Sequence, residues 1–405
     1  MENKVYYGEY SLAHWIDLIQ KENIILPWYQ RSFVWDKPQI ENLIKTLDNN
    51  QFIPPVVIGA VRKDGEWQNY ILDGQQRLTS ILLTKINKYI DKQEFISQKP
   101  NSEIAQLAED VDPEDENADE SADSQIKIIK WTFREIIKNK QIDHAELNNS
   151  YYKQLLAITK DNEFFEKHYL GFAYVKPKND VTDEQQSKFY SDTFRNINVG
   201  GIKLTRAESR KSLYFLKESL RDYFAPKFLE TIKIETSSKE SGIIDFIKYL
   251  SILAQYSGNH EGLYRYGGRD WEKNENFYQK YIMSVVENNA RNELKFNISY
   301  PIVPYTDERM QNLKANMAQL EIPKQYGSII EMDMYFFGLV NEVIFKNKQL
   351  DHTKKEALKD EIERRIVVLR NTENHKLNPN ALKYLKARIW ASLEIYSKYR
   401  REENV

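Results

Sequence analysis

Hydrophobic positions in the first hundred residues switch between two periods. Ser11 stands where a helix N-cap is expected, and Trp15, Leu18 and Ile19 make an apolar face behind it. Residues 24–31 read as extended chain, where Pro27 argues against a helix. Asp36 caps a second predicted helix. Lys37 and Pro38 open it, and Ile40, Leu43, Ile44 and Leu47 recur at helical spacing. Pro54-Pro55 ends that unit. Residues 56–61 and 67–72 read as the strands of a hairpin around Lys63-Asp64-Gly65-Glu66. Asp73-Gly74-Gln75-Gln76-Arg77 follows the second strand directly and leads into a third helix carrying Leu78, Ile81 and Leu82.

From about residue 125 the pattern turns helical, over 126–137, 242–256, 277–286, 334–345, 354–370 and 381–399. One loop interrupts it, from Phe194 through Asn196 and Asn198 to Gly200-Gly201, and runs into the capping-box pattern Thr205-x-x-Glu208. No internal repeat is present. The expected class is α+β. A mixed core over 1–96 is followed by an acidic insertion at 97–124, a helical continuation over 125–215 and a mainly α-helical, aromatic-rich domain over 216–405.

Length and composition narrow this picture. A chain of 405 residues suits two or three domains, and 41% hydrophobic residues exclude a wholly disordered protein. No apolar run approaches the roughly 18–20 residues of a membrane span, and the N-terminus has no basic-then-apolar leader. The expectation is a cytoplasmic protein without a membrane partner. The absence of cysteine excludes disulfides, a thiol nucleophile and Cys-ligated metal. The net charge of −2 is uneven. Residues 101–123 hold ten acids and no Lys or Arg, which leaves +8 on the rest. A mildly basic body permits contact with phosphate without requiring it. The acidic stretch reads as a solvated linker, with mimicry of nucleic acid as the alternative.

The sharpest chemical signal is Asp73–Arg77 at its strand-to-helix junction. First-turn N–H groups and the helix dipole favour an anion there, and Gly74 allows close approach of a ligand. Gln75 and Gln76 both donate and accept hydrogen bonds. A cation at Arg77 opposes the dipole by about 0.3–1 kcal/mol unless a phosphate or carboxylate compensates it. The plainer reading makes Asp73 and Gln76 a capping box and pairs Arg77 with a nearby carboxylate. A second candidate is Pro27-Trp28-Tyr29-Gln30-Arg31-Ser32-Phe33-Val34-Trp35. Its rings could stack on a base and Arg31 reach a phosphate, or its aromatics could simply be core. The Asn198/Gly200/Gly201 turn is a third, weaker candidate.

The six histidines are scattered without metal-site spacing, and there is no Walker P-loop. Asn374-His375-x-x-Asn378 lacks the second histidine that a His-Asn-His nuclease needs. Lys383, Lys386, Arg388, Lys398, Arg400 and Arg401 make the last helix basic. A solvated face is the commoner explanation, and nucleic-acid contact is the alternative.

Three segments occur in order: Pro-x-Tyr-Gln-Arg-x-Phe-x-Trp (Pro27 to Trp35), Asp-Gly-Gln-Gln-Arg (Asp73 to Arg77) and Phe-x-x-Ile-Asn-x-Gly-Gly-x-x-Leu (Phe194 to Leu204). Together they resemble the N-terminal domain of GmrSD-type restriction proteins, within the ParB/sulfiredoxin-like group, over about residues 8–215. The resemblance implies a ParB-like domain with a small sheet and helices that binds and hydrolyses a nucleotide in bacterial defence against phage or foreign DNA. It implies catalytic roles for Asp73, Gln75, Gln76 and Arg77, with Asp73 holding Mg²⁺ or orienting water. Tyr29, Gln30, Arg31, Gly74, Asn198, Gly200 and Gly201 would bind the nucleotide. The implied cofactors are an NTP of unread base and Mg²⁺. The implied partners are DNA and a separately encoded nuclease or other defence subunit, and the aromatic-rich helical half suggests a second copy of the chain as a further partner. Many relatives continue into a His-Asn-His nuclease domain, and this chain shows no such motif, so cutting by this chain alone is not expected. The rival reading is a non-catalytic nucleotide- or DNA-sensing module that controls a separate nuclease.

Overall fold

The computed structural model describes residues 3–27, 33–63, 65–98, 104–105, 128–129, 131–155, 159–178, 181–197, 206–214, 217–235, 241–258, 263–298, 305–372 and 374–401. They form two compact units, one up to residue 197 and the other from 206 onward. The acidic stretch lies outside the described residues apart from Ile104–Ala105.

The first unit is built on a four-stranded sheet of β1 (Lys4–Ser11), β2 (Val56–Lys63), β3 (Glu66–Asp73) and β4 (Tyr169–Lys176), in the order β1-β4-β2-β3. The expected hairpin is β2–β3, with a register shift between Val57 and Ile58. β4 runs antiparallel to β1 and parallel to β2. The helices of this unit are α1 (Leu12–Gln20), α2 (Lys37–Asp48), α3 (Gln75–Lys85), α4 (Lys92–Gln98), α5 (Asn162–Lys167) and α6 (Asp183–Ile197).

Local signals set the starts of the first two helices. The Ser11 hydroxyl accepts from the His14 amide at 3.2 Å, and Asp36 forms a full capping box with Gln39. Ile16, Ile40, Ile44 and Leu82 share one core with Ile58 and Ile71 of the sheet. Gly59 points the other way along β2, where a Cβ would meet the Tyr190 ring of α6 at 2.6 Å. Tyr190 donates to the Ala60 carbonyl. Gln186 of α6 brackets the Arg62 backbone, accepting from its N–H at 2.8 Å and donating to its carbonyl at 3.1 Å.

Two expectations are corrected here. β1 was not anticipated, and 125–215 is not a helical continuation, because it supplies β4 to the middle of the sheet. Within 126–137 the described residues hold the short strand Ile128–Ile129 and a 3-10 turn at Phe133–Ile136. The apolar positions there are mostly β-branched isoleucines, which fit extended backbone.

The second unit is mainly helical, as expected. It contains α7 (Arg206–Ser212), α8 (Glu218–Phe224), α9 (Phe246–Gly258), α10 (Trp271–Val286), α11 (Tyr305–Gln319), α12 (Ile329–Val340), α13 (Lys355–Arg370) and α14 (Leu382–Ser397). A small sheet joins β5 (Lys233–Glu235), β6 (Ser241–Ile243) and β7 (Gln325–Tyr326) in the order β6-β5-β7. Nearly all of α12 is buried, with α13 and α14 packed on it. Gly338 permits the closest approach, since a Cβ there would overlap the Tyr396 ring and the Ser392 carbonyl oxygen.

Asp333 of α12 is fully buried. It accepts from Lys248 at 2.8 Å, from the Tyr249 hydroxyl at 2.8 Å and from Arg388 Nε at 2.9 Å. Burial alone would raise the Asp333 carboxyl, but Lys248 and Arg388 hold it below the usual carboxylate range. Arg388 also donates to the Pro379 carbonyl at 2.7 Å, and its Nη1 lies 3.0 Å from His375 Nε2. Because arginine only donates, His375 Nε2 accepts and the neutral ring carries its proton on Nδ1. The ring stacks on Tyr384 at 4.5 Å. His375 is therefore a packing residue here, not a nuclease histidine.

Burial, and then the Arg388 cation, push His375 down to about 4, against the pull of Asp333. The unfolded chain binds a proton near the ordinary 6.5, so it holds more protons than the native state between those values. Stability should therefore be flat above pH 6.5 and fall as pH drops toward 4, by up to ~3 kcal/mol from this group. Denaturant unfolding from pH 8 to 4 checks this. His375→Gln keeps an acceptor for Arg388 without the titration and should flatten the slope between pH 6.5 and 4.

Candidate functional site at the start of α3

The junction of β3 and α3 is closed by one arginine. Gly74 is the N-cap of α3, with φ +95° and ψ 6°, and no side chain caps the helix. This left-handed turn excludes a Cβ, which would lie 2.9 Å from Val56 Cγ2 and 3.2 Å from Arg77 Nη2. The capping-box reading of Asp73 with Gln76 fails for that reason: the cap has moved one residue on. Asp73 instead accepts from Arg77 Nη2 at 2.8 Å. The same guanidinium donates to the Pro54 carbonyl at 2.8 Å and to the Pro55 carbonyl at 3.5 Å. The anion that compensates a first-turn cation is thus internal. Arg77 pins the end of β3 and the Pro54-Pro55 turn to α3, and its side chain is only 12% exposed.

Gln76 has a comparable task. Its Oε1 accepts from the Val34 amide at 2.9 Å. The Val34 carbonyl accepts from Lys92 at the start of α4, so this peptide is held from both sides. Burial pushes the Lys92 ammonium below its ordinary value, and Asp36 opposes that. The first motif is anchored at its other end too. Ile25 bonds along the free edge of β3, donating to the Asn69 carbonyl at 2.7 Å and accepting from Ile71 at 2.9 Å. Phe33 donates to the Trp131 carbonyl at 2.8 Å, and the two rings meet edge-on at 5.8 Å. Both described flanks of the Pro27–Trp35 motif thus lie against β3 and α3. Tyr29, Gln30 and Arg31 fall outside the described residues, as do Asn198, Gly200 and Gly201.

Gln75 is the exception in the motif. It is 3% exposed, and neither its Oε1 nor its Nε2 has a hydrogen-bond partner among the described residues. A buried amide in that state costs about 1–3 kcal/mol, which a ligand or water would recover. One turn on, Thr79 is fully buried, and its hydroxyl has no partner among the described residues. Its neighbours Ser80 and Thr84 satisfy their hydroxyls on the carbonyls of Gln76 and Ser80, both at 2.8 Å. Gln75 and Thr79 share one stripe of α3 at i, i+4 spacing. The helix start, with no side-chain cap among the described residues, adds first-turn amides and the positive end of the dipole. Together these offer charge-assisted binding of an anionic group with polar hydrogen-bonding beside it. Sequence reasoning missed Thr79 and Lys92. The i+4 spacing from Gln75 was a usable signal for Thr79, whereas nothing in the sequence marked Lys92.

Among the described residues no group of three or more His, Asp or Glu could hold a metal ion. Asp73 is a lone carboxylate, 43% exposed, with one oxygen on Arg77. That suits Mg²⁺ carried in by phosphates better than an all-protein cage.

Residues 15–215, which contain this junction, match the family described as GmrSD restriction endonuclease, N-terminal domain. This segment belongs to that family. The family is named for a restriction endonuclease, and the match takes in most of α1 and α2 to α7, while most of the second unit lies beyond it. An uncharacterized protein of Methanocaldococcus jannaschii is 24% identical over 262 residues, covering 54% of this chain and 44% of the relative. The chain thus spans less than half the length of that relative. No solved structure matches. Among the described residues no helix is long and apolar enough to cross a membrane.

The two motif residues should respond oppositely to truncation. Gln75→Leu removes an unsatisfied amide at similar volume and should leave the apo protein as stable or about 1 kcal/mol more stable. Arg77→Ala strands Asp73 and two carbonyls and should cost about 1–3 kcal/mol. Thermal melts of the ligand-free protein decide both.

Proposed function

We propose that the GmrSD domain binds a nucleoside triphosphate at the start of α3 and hydrolyses it, as the nucleotide-dependent subunit of a bacterial defence system acting on or regulated by foreign DNA. The observation that carries this reading is Gln75, a buried unpartnered amide beside an uncapped helix start. In this scheme the phosphates sit on the first-turn amides, and Gln75 donates to a phosphate oxygen. Arg77 keeps the helix start in place and lends its positive charge from behind. Asp73 presents its outer carboxylate oxygen to water or to Mg²⁺ brought by the nucleotide. When bound, Mg²⁺ would neutralise phosphate charge. Tyr29, Gln30, Arg31, Asn198, Gly200 and Gly201 complete the proposed pocket. Strand cutting is left to a separately encoded nuclease, and DNA is the proposed effector.

One observation favours a second reading, a sensor that binds without turnover. Asp73 is the only carboxylate of the motif, and it already pairs with Arg77. Phosphate release from each of the four NTPs with Mg²⁺, with and without DNA, separates the two. Turnover in the wild type and its loss in Gln75→Leu establish the hydrolase. Saturable binding without product establishes the sensor. Gln75→Leu should weaken nucleotide binding by about 10–100-fold, the worth of a hydrogen bond to a charged group. Unchanged binding in a folded Gln75→Leu protein defeats both readings.

A further inference from the structure

Within the second unit, one helical face is left uncovered by the unit's own described residues. α13 and α14 run antiparallel: Glu361 pairs with Lys398 at 2.8 Å and Glu394 with Arg365 at 3.5 Å. That register brings Val368 level with Trp390 to within about one residue, roughly 1.5 Å of rise. Both helices bury their inner faces against α12 and turn apolar side chains outward. Val367 is 58% exposed, Val368 61% and Trp390 59%. Scattered exposed apolar residues are ordinary, but a tryptophan beside two valines has the composition of an interface centre.

The charge around this centre selects the occupant. The basic last helix is largely spoken for. Arg388 is buried on Asp333, Arg400 binds Glu342, and Lys398 binds Glu361 and Glu394. Lys383, with its Nζ over the Tyr384 ring, Lys386 and, past the helix end, Arg401 are left exposed; they are too few and too far apart for a phosphate track, and aliphatic valines give bases nothing to stack on. On the opposite side of the apolar centre α13 exposes Asp360 and Glu363, with the cation Arg364 beside them. In the same register Lys386 and Lys383 lie about five and eight residues of rise, roughly 8 and 12 Å, to one side of Val368. Glu363 and Asp360 lie the same distances to the other side. None of the four is in an ion pair among the described residues. A two-fold axis through the Val368–Trp390 level therefore sets Lys386 of one copy against Glu363 of another, and Lys383 against Asp360. Self-complementarity of this kind is what an isologous interface requires.

We propose that the outer face of the α13–α14 hairpin joins two copies of this chain into a four-helix contact. The apolar centre supplies affinity, and the flanking charges fix register and orientation. Sedimentation of the full chain over a concentration series tests it. The wild type should dimerise, and Trp390→Glu should be monomeric with an unchanged melting curve. Lys383→Glu/Lys386→Glu and Asp360→Lys/Glu363→Lys should each weaken the dimer at least tenfold. The four substitutions combined in one chain should restore it, since every facing pair is then opposite again. A wild type monomeric at every concentration overturns the proposal, as does a dimer indifferent to Trp390→Glu or a fourfold variant without recovery. Binding of single-stranded DNA by a monomeric wild type, lost in Lys383→Glu/Lys386→Glu, would assign the face to nucleic acid instead and equally overturn it.

Discussion

The arrangement at the candidate site depends on one guanidinium. Arg77 reaches back across the left-handed turn at Gly74 to Asp73 and across to the Pro54 and Pro55 carbonyls. A helix that starts without a cap has loose first-turn amides, and here the arginine supplies the rigidity that a cap would give. Because the tie is made by a side chain from inside the helix, it does not engage the first-turn amides. An Asp or Ser cap would have satisfied those amides and closed the site. Within the motif, Asp73, Gln76 and Arg77 tie the junction to its neighbours, whereas the Gln75 amide makes no hydrogen bond among the described residues.

That division of labour was only partly legible in the sequence. The hairpin, the two capped helices and the position of Asp73–Arg77 at a strand-to-helix junction follow from local patterns of two, three and four residues, and they were read correctly. The α+β class and the helical second unit followed from the same periodicities. Long-range pairing is what local patterns do not carry. β1 was not anticipated, because its partner lies more than a hundred and fifty residues away. The short apolar segments of 125–176 were taken as helical, although a sheet neighbour decides such segments more than their own spacing does. At the site, the compensating anion for Arg77 was anticipated as a ligand or a surface carboxylate. It proved to be its own neighbour in the motif, which becomes visible only once Gly74 turns the chain back.

Buried charge follows different logic in the two units. In the first, the ion pair of Arg77 with Asp73 sits at the rim, where it fixes backbone and remains open on one side. In the second, Asp333 is enclosed and answered by Lys248, Tyr249 and Arg388, with His375 kept neutral at the far end of the chain of contacts. Such an enclosed cluster favours one packing of the helices over its alternatives, because any slip would leave a charge without a partner. It gives α12 a fixed seat, and through α12 it fixes α13 and α14.

The place of β4 bears on how the protein comes into being. It lies between β1 and β2, yet it is made about a hundred residues after the hairpin. On a growing chain the hairpin and α3 can assemble early, whereas β1 has no neighbour until residue 176 has left the ribosome. Contacts closed over such distances form slowly and expose strand edges meanwhile. The amino-terminal strand therefore waits through much of synthesis, and the first unit should mature as a whole only after its last strand arrives.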